Sequence, residues 1–368
     1  MKFTCEKNAL LKEIGIAQEI ISSKSTLSIL SNVLLEAQEG KLTLRATDLK
    51  VAFETSIPVE VSVPGNTTVF CDKFLGILRT LPEGDIEFEE KEGGTFLIRP
   101  VFKKIDFRLK TISADKYPEL PSLSEEHYFS FPQKDFKEMI QQTIFAVSED
   151  ETRYYMNGVC MEKGEDQLVM VATDGRRLSY ISKPSPQPIP DFSQVIIPPK
   201  VLTLVQRLAS GEGMLSLAVS DKNVFLTFDN QKLSSALIEG QFPNYQRVIP
   251  AEQLHKVKVG IPELLEALKR VSLMVEQKSK RIYLELSEGR MVLSSEESEL
   301  GVAKEELVCE YEGPETVIAL NYLYLLEPLR VMDGSYVFIE YTEPNRALTL
   351  RPAENTEYFH IVMPMQLD

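Results

Sequence analysis

The sequence has 368 residues, more than one ordinary core holds; at roughly 100–200 residues per domain it implies two or three domains. Hydrophobic residues at 43% and charged residues at 26% are globular proportions and exclude a disordered chain. With 40 Lys+Arg against 55 Asp+Glu the formal net charge is −15, which excludes a surface that is basic throughout and coats nucleic acid.

Residues 1–21 (MKFTCEKNALLKEIGIAQEII) carry Glu6, Glu13 and Glu19 among apolar positions. They read as an amphipathic helix and not as a signal or transit peptide. No apolar run reaches the ~20 residues of a membrane span. The stretch from Thr316 to Leu326 is shorter and stops at Glu327. A cytoplasmic protein is expected. Cys5, Cys71, Cys160 and Cys309 are scattered without a C-x-x-C pair, so they read as small buried hydrophobes in a reducing compartment. His127, His255 and His360 lie far apart, which disfavours a metal site. Gly211-Glu212-Gly213 lacks the continuation of a phosphate loop, and no G-x-S-x-G elbow is present. An enzyme is disfavoured, and no cofactor is expected.

One unit recurs three times along the chain. Phe3-Thr4, Phe129-Ser130 and Val257-Lys258 each begin a strand followed by a helix. The helices share the apolar spacing i, i+4, i+7, i+11: Leu10, Ile14, Ala17, Ile21; Phe136, Ile140, Thr143, Val147; Leu264, Leu268, Val271, Val275. Pro132 and Pro262 suit a first helical turn, where the missing N–H costs nothing. Downstream, 42–48 (LTLRATD) parallels 168–174 (LVMVATD) at a shift of 126, with 291–296 (MVLSSE) as a weaker third copy. These read as strands. Val69 to Leu81, Ile196 to Leu208 and Val317 to Leu329 each read as a strand leading into a second helix, with Lys73 opposite Lys200. Finally 114–118 (ADKYP) parallels 239–243 (EGQFP).

Three repeats of about 123 residues follow, each with two helices and about eight short strands. That is an α+β unit with antiparallel sheets and both helices on one face. The expected domains are 1–124, 125–252 and 253–368, divided near polar segments after the turns 117–121 (YPELP) and 242–245 (FPNY).

The acidic average is unevenly spread. The expected helices 7–21, 72–79, 132–147, 198–210, 261–280 and 320–330 hold thirteen basic and nine acidic residues, a balance of +4 that leaves −19 on the rest. If all three repeats present helices to one side, a weakly positive face results. It suits loose, sequence-independent attraction to phosphates and not tight salt-sensitive binding. Thr47-Asp48 and Thr173-Asp174 could be taken for paired catalytic carboxylates, but the third copy has Ser295-Glu296 and Asp after a strand usually starts a turn.

In segments 1–12 (MKFTCEKNALLK), 153–158 (RYYMNG), 171–178 (VATDGRRL), 242–248 (FPNYQRV) and 361–367 (IVMPMQL), in this order on a threefold repeat, the sequence resembles the bacterial sliding clamp, the beta subunit of DNA polymerase III. The resemblance covers essentially the whole chain. It implies a head-to-tail homodimer: a six-domain ring with helices lining the hole and sheets outside. Such a ring encircles duplex DNA without sequence specificity, slides, and tethers the replicative polymerase. Topological linkage would provide retention, so phosphate contacts could stay few and interchangeable.

The resemblance also implies a hydrophobic cleft between the second and third repeats. It would capture short peptides from the polymerase alpha subunit, the clamp loader and other clamp-binding proteins. The matching positions are Met156, Thr173, Gly175, Arg177, Leu178, Pro243, Arg247, Val248, Ala347, Ile361, Val362, Met363, Pro364 and Met365. Arg153, Arg177 and Arg247 would hydrogen-bond an extended peptide. Arg176 stands where a well-known member has His, and Asp368 extends past the usual terminal Leu. DNA contacts fall on Lys24, Tyr154 and Tyr155, to which repeat position adds Lys73 and Lys200. One basic position of the family is Asp72 here. For the ring interface, Phe107 and Leu109 of the first repeat would meet Leu273 and Met274 of the third. The competing reading is a monomeric three-domain peptide-binding scaffold that never closes on DNA.

Overall fold

Alternating and helical patterns become short elements in the computed structural model, which describes residues 1–21, 28–299 and 301–367. The first repeat contains β1 (Lys2–Glu6), α1 (Lys7–Ile20), β2 (Asn32–Gln38), β3 (Lys41–Thr47), β4 (Val51–Pro58), β5 (Glu60–Val63), β6 (Gly65–Phe70), α2 (Cys71–Thr80), β7 (Asp85–Lys91), β8 (Thr95–Pro100) and β9 (Phe107–Ile112). The second contains β10 (Phe129–Pro132), α3 (Gln133–Gln141), β11 (Val159–Lys163), β12 (Gln167–Thr173), β13 (Arg177–Pro184), β14 (Val195–Ile197), α4 (Pro199–Leu208), β15 (Met214–Val219), β16 (Asn223–Phe228) and β17 (Gln231–Ala236). The third contains β18 (His255–Gly260), α5 (Ile261–Val271), β19 (Arg281–Ser287), β20 (Arg290–Ser295), β21 (Lys304–Val308), β22 (Thr316–Asn321), α6 (Tyr322–Leu329), β23 (Tyr336–Tyr341), β24 (Leu348–Pro352) and β25 (Tyr358–Val362).

The helix positions match the sequence reading, and the lengths differ for identifiable reasons. α1 starts where the Glu6 carboxylate accepts from the Ala9 N–H at 2.8 Å, an N-cap. The helix expected over 132–147 stops at Gln141. Two side chains take the carbonyls that would continue it: Thr143 Oγ1 donates to Met139 O at 2.7 Å, and Ser179 Oγ donates to Gln142 O at 2.5 Å. Pro132 is not in the first helical turn as expected; it ends β10, paired with Met214, and the helix begins after it. Pro262 does sit in the first turn of α5. That helix also ends early, at Val271, passing into a 3₁₀ turn over Ser272–Met274.

The chain divides into two compact bodies, one of Met1–Gln133 with Ala209–Leu237, the other of Lys134–Leu208 with Ile238–Asp368. In the first body a sheet runs in the order β10-β15-β16-β17-β4-β3-β2-β6-β9-β8-β7-β1-β5, so strands of the second repeat continue directly into those of the first. The join is β4 with β17, antiparallel from Val51 opposite Ser235 to Thr55 opposite Gln231. In the second body the order β14-β11-β12-β13-β25-β24-β23-β18 makes the same join between the second and third repeats. There Arg177 lies opposite Val362 and Ile181 opposite Tyr358. The third repeat's remaining strands form β21-β20-β19-β22.

Each sheet buries one face under helices. α1 and α2 pack together, and α1 also covers β3 and β4; α5 packs on α6, β20 and β21. The buried stripe of α5 is Ile261, Leu264, Ala267, Leu268 and Val271, the helical spacing seen in the sequence. Under α2 lies an aromatic cluster. Phe88 stacks on Phe3 at 4.8 Å and on Phe96 at 5.7 Å between ring centroids, and Phe74 meets both Phe88 and Phe96 edge-on at 5.9 Å. All four rings are fully buried. The four cysteines are buried and free, as expected.

Phe88→Ala should lower the unfolding free energy by about 3–5 kcal/mol, the usual range for emptying a buried aromatic site. Urea titration should show a lower midpoint with the slope retained; an unchanged midpoint would remove the cluster from the account of stability.

Candidate functional site

The turn between β12 and β13 holds three of the residues expected in the cleft, Thr173, Gly175 and Arg177. Asp174 Oδ1 accepts from the N–H of Arg176 at 2.9 Å and of Arg177 at 3.1 Å. Thr173 Oγ1 accepts from the Gly175 N–H at 3.0 Å and donates to the Arg177 carbonyl. Thr47-Asp48 repeats this network: Asp48 Oδ1 accepts from Lys50 and Val51, and Thr47 Oγ1 bonds Leu49 N–H and Val51 O. Both aspartates are turn formers, engaged with backbone amides rather than poised as acid and base. In the third copy Ser295 Oγ accepts from Ala303 N–H at 3.0 Å and closes a longer loop.

Arg177 is the centre of this region. Its side chain is only 9% exposed. Nε donates to Asp174 Oδ2 at 3.0 Å, Nη2 to the Phe145 carbonyl at 2.6 Å, and Nη1 to the Glu327 carboxylate. The guanidinium also lies over the rings of Tyr324 at 4.7 Å and Phe145 at 5.6 Å. Sequence reasoning placed Arg177 beside Arg153 and Arg247 as a donor to a peptide. Each of the three guanidinium nitrogens of Arg177 already donates one hydrogen bond within the chain, which leaves one N–H on each Nη. Arg153 keeps a more open position, its side chain 41% exposed and paired with Asp150 at 3.0 Å. Its guanidinium lies over Gly175, where an added Cβ would come within 2.9 Å of Arg153 Nη1, and Gly175 adopts φ +87°. Arg247 is exposed on the linker.

Beside the turn lies an apolar floor. Leu178 pairs with Ile361 across β13 and β25. Both belong to a buried cluster with Phe242, Tyr245 and Phe359, against which Tyr155, Tyr180 and Ala347 pack. Val362 is fully buried and Met156 nearly so, whereas Val248 is 52% and Met363 45% exposed. Met363 N–H donates to Arg176 O at 2.9 Å and Met365 N–H to Ala319 O at 2.8 Å, so the segment carrying Pro364 is tied at both ends. Pro243 borders a concavity of about 210 Å³ among Gln194, Gln241, Asn244 and Gln246. The structure thus joins Leu178, Ile361 and Ala347 on one surface with the turn that carries Thr173, Gly175 and Arg177.

A larger concavity, about 830 Å³, lies in the first body beneath residues 117–123, walled by Phe53, Tyr128 and Phe225. It occupies the repeat-equivalent place, beside the Thr47-Asp48 turn and the β4–β17 pair. Sequence reasoning did not single out this groove, since no polar motif marks it.

The remaining expected residues are spread out. Tyr154 is 53% exposed and meets Tyr155 edge-on at 5.7 Å. Gly240, at φ +117°, backs both rings; a Cβ there would approach Tyr154 and Tyr155 to 3.3 Å. Lys73 on α2 and Lys200 on α4 are exposed. Lys24 and Asp368 lie outside the described residues. Several helix cations are already ion-paired: Lys7 with Glu83 at 2.8 Å, Lys269 with Glu266 at 2.7 Å and Arg270 with Glu305 at 2.5 Å. The positive balance of the helices is therefore partly cancelled by near neighbours. Phe107 and Leu109 are half-buried on β9, Met274 is half-buried and Leu273 is 82% exposed.

Phe145, Tyr324 and Glu327 were not foreseen. The available signal was Glu327 itself, a single carboxylate in the apolar run of α6, read only as the end of a hydrophobic stretch. The open edge of β21, with Val308 88% exposed, was also missed.

His360, opposite Ser179 in β25, is fully buried beside this region. Burial and the Arg177 charge hold its imidazole neutral, with a pKa well below the ordinary 6.5. Below that ordinary value the unfolded chain binds a proton that the folded chain refuses. Stability should therefore decline as pH falls through the ordinary histidine range and level off above it. Its slope should reach at most about 1.4 kcal/mol per pH unit from this group. Denaturant midpoints measured from about pH 7.5 to 5.5 should show the decline, and His360→Phe should flatten it; an equal slope in the variant would assign the decline to other groups.

Three family models match along the chain: the N-terminal domain of the DNA polymerase III beta subunit over residues 1–121, its central domain over 130–244 and its C-terminal domain over 246–366. The beta sliding clamp of Treponema pallidum (strain Nichols) is 50% identical over 372 residues, with 100% of each chain covered. That of Escherichia coli (strain K12) is 32% identical over 369 residues, again with 100% of each covered. Among solved structures, the sliding clamp of Bacillus subtilis matches with a TM-score of 0.95 at 26% identity. The Pseudomonas aeruginosa clamp bound to griselimycin matches at 0.94 and 31%, and both matches cover 100% of each chain. With three consecutive domains matched and half its residues shared with a full-length relative, the chain belongs to the beta sliding clamps, the beta subunits of DNA polymerase III.

Proposed function

We propose that two copies of this chain close head to tail into a ring around duplex DNA and tether the replicative polymerase, the clamp loader and other partners through a peptide cleft on each copy. As a sliding clamp the chain is a processivity subunit of a DNA polymerase and not a catalyst. It works on DNA inside the cell, and cytoplasmic residence is the finer reading. The working domains on this reading are 1–124, 125–252 and 253–368.

The observation that carries the ring is a strand join made twice and left open once. β4 joins β17, and β13 joins β25. By repeat position β21 is the third copy of β4 and β13, and β9 is the first copy of β17 and β25. Among the described residues β21 pairs only with β20, and residues 107–110 of β9 pair only with β8. The missing join is then between β9 of one copy and β21 of the next. Carried over, the same antiparallel join would lay β9 of one copy along β21 of the next, bringing Phe107, Arg108 and Lys110 beside a strand that carries Glu305, Glu306 and Val308. Leu109, Leu273 and Met274 would add apolar contact around it. A heterologous contact of this kind gives a ring when its rotation closes.

Retention by topology asks little of individual phosphate contacts. Lys24, Lys73, Tyr154, Tyr155 and Lys200 are the candidates, and the ion pairs already made by Lys7, Lys269 and Arg270 keep the attraction weak. The peptide cleft would use Leu178, Ile361, Val362, Pro243, Val248, Ala347, Met156 and Met363–Met365 as apolar surface. Thr173 and Gly175 would shape its turn, Arg153 and Arg247 would serve as rim donors, and Arg177 would fix the floor.

Clamp loaded on nicked circular DNA should remain bound until the circle is linearised and then slide off; retention on the linear product would refute topological binding. In solution the mass should be near twice 41.7 kDa. Val308→Lys should weaken the dimer about tenfold or more. A monomeric wild type at micromolar concentration would instead favour the open scaffold. Deleting 363–368 should weaken binding of a polymerase-derived peptide about tenfold or more while leaving the dimer mass unchanged; equal affinity would displace the cleft.

A further inference from the structure

We infer that Glu327 on α6 is a positioning residue for the peptide cleft, acting through Arg177; this rests on the cleft reading above. Arg177 directly precedes Leu178 and lies opposite Val362, so its placement fixes the strand pair that forms the cleft floor. Its bond to Asp174 is local, between residues three apart in one turn, and cannot attach that turn to anything else. Two hydrogen bonds do: one to the Phe145 carbonyl, and one to the Glu327 carboxylate 150 residues away in sequence.

Of these outer anchors only Glu327 carries charge. The Arg177 side chain is 9% exposed and that of Glu327 30%, so the pair sits where solvent screens it weakly. A guanidinium held between two carboxylates and two ring faces has one well-defined orientation. Met363, whose N–H donates to Arg176 O, is drawn into the same arrangement. When Glu327 loses its charge, Arg177 keeps its bond to Asp174, but the turn loses its charged tie to α6. It can then move relative to Ile361, and the floor is no longer held ready for a ligand.

The test uses the full-length dimer and a fluorescein-labelled peptide from the clamp-binding segment of the polymerase alpha subunit. Glu327→Gln should weaken peptide binding about tenfold, the scale expected when one member of a coupled charge network is removed. Glu327→Asp, which keeps the charge on a shorter arm, should stay within about threefold of wild type. Dimer mass should be unchanged. Hydrogen exchange should quicken at the amides of 175–178 in Glu327→Gln and remain as in wild type along α5. Equal affinity of wild type and Glu327→Gln overturns the proposal. Equal losses in the Gln and Asp variants also overturn it, because they indicate packing and not charge. If Glu327→Gln does not fold, exchange at 175–178 in Glu327→Ala decides: faster exchange there supports the tie, and wild-type exchange refutes it. Failure of the wild-type chain to bind the peptide sinks the cleft reading itself, and is told apart because no variant is needed to see it.

Discussion

An unpaired β-strand edge presents a row of free N–H and C=O groups, and a folded chain has to cover it, break it or join it to another strand. This chain joins it. β4 is completed by β17 and β13 by β25, in equivalent registers. The rest of the architecture follows from that recurring contact. It makes one continuous sheet out of strands from two repeats, and it explains why the compact bodies divide within the second repeat and not at its sequence boundaries. A repeat whose neighbours supply its missing strand is stable in the middle of an array and unsatisfied at both ends. Closure with a second copy would satisfy both ends with the same contact.

The join also produces the ligand surface. The strand that completes β13 is β25, and the segment after it is tied beside the junction turn by Met363 N–H to Arg176 O and by Met365 N–H to Ala319 O. The result is two grooves of common origin and different walls, one bordered by Met363–Met365 and the other a wider hollow under residues 117–123. Divergence after repetition accounts for this asymmetry: Arg177, with its partners, stands where the first copy has Val51.

The sequence made the repeated helices and strands legible because both depend on local periodicity: 3.6 for Leu264, Leu268 and Val271, and 2 for the strand at 42–47. It also identified Asp48 and Asp174 as turn residues, since their hydrogen bonds reach only two or three residues ahead. The site assignments came from family resemblance, and the structure supplied what neither local pattern nor resemblance contained. The end of α3 at Gln141 depends on Ser179, which takes a carbonyl from a distant strand. The role of Arg177 depends on Glu327, whose spacing along the chain has no periodic signature. Long-range partners of charged side chains are set by strand register, and register is fixed only when the sheet is assembled.

Charge then has to be considered by location. A ring that slides needs enough attraction to keep the duplex centred and too little to hold one position. Each phosphate neutralised releases counterions and adds a steep salt-dependent term to affinity, so six to ten fixed contacts would act as a brake. The six observed helices carry ten basic and eight acidic residues, a balance of +2, and Lys7 and Arg270 are further paired with Glu83 and Glu305 outside them at 2.8 and 2.5 Å. Arg177, the most elaborately paired cation described here, faces the cleft turn and not a phosphate. Strong charge is used where geometry must stay fixed, and weak, half-neutralised charge where motion along the duplex must stay free. An acidic remainder of −17 outside the helices is consistent with this arrangement, because it discourages the duplex from adhering anywhere else.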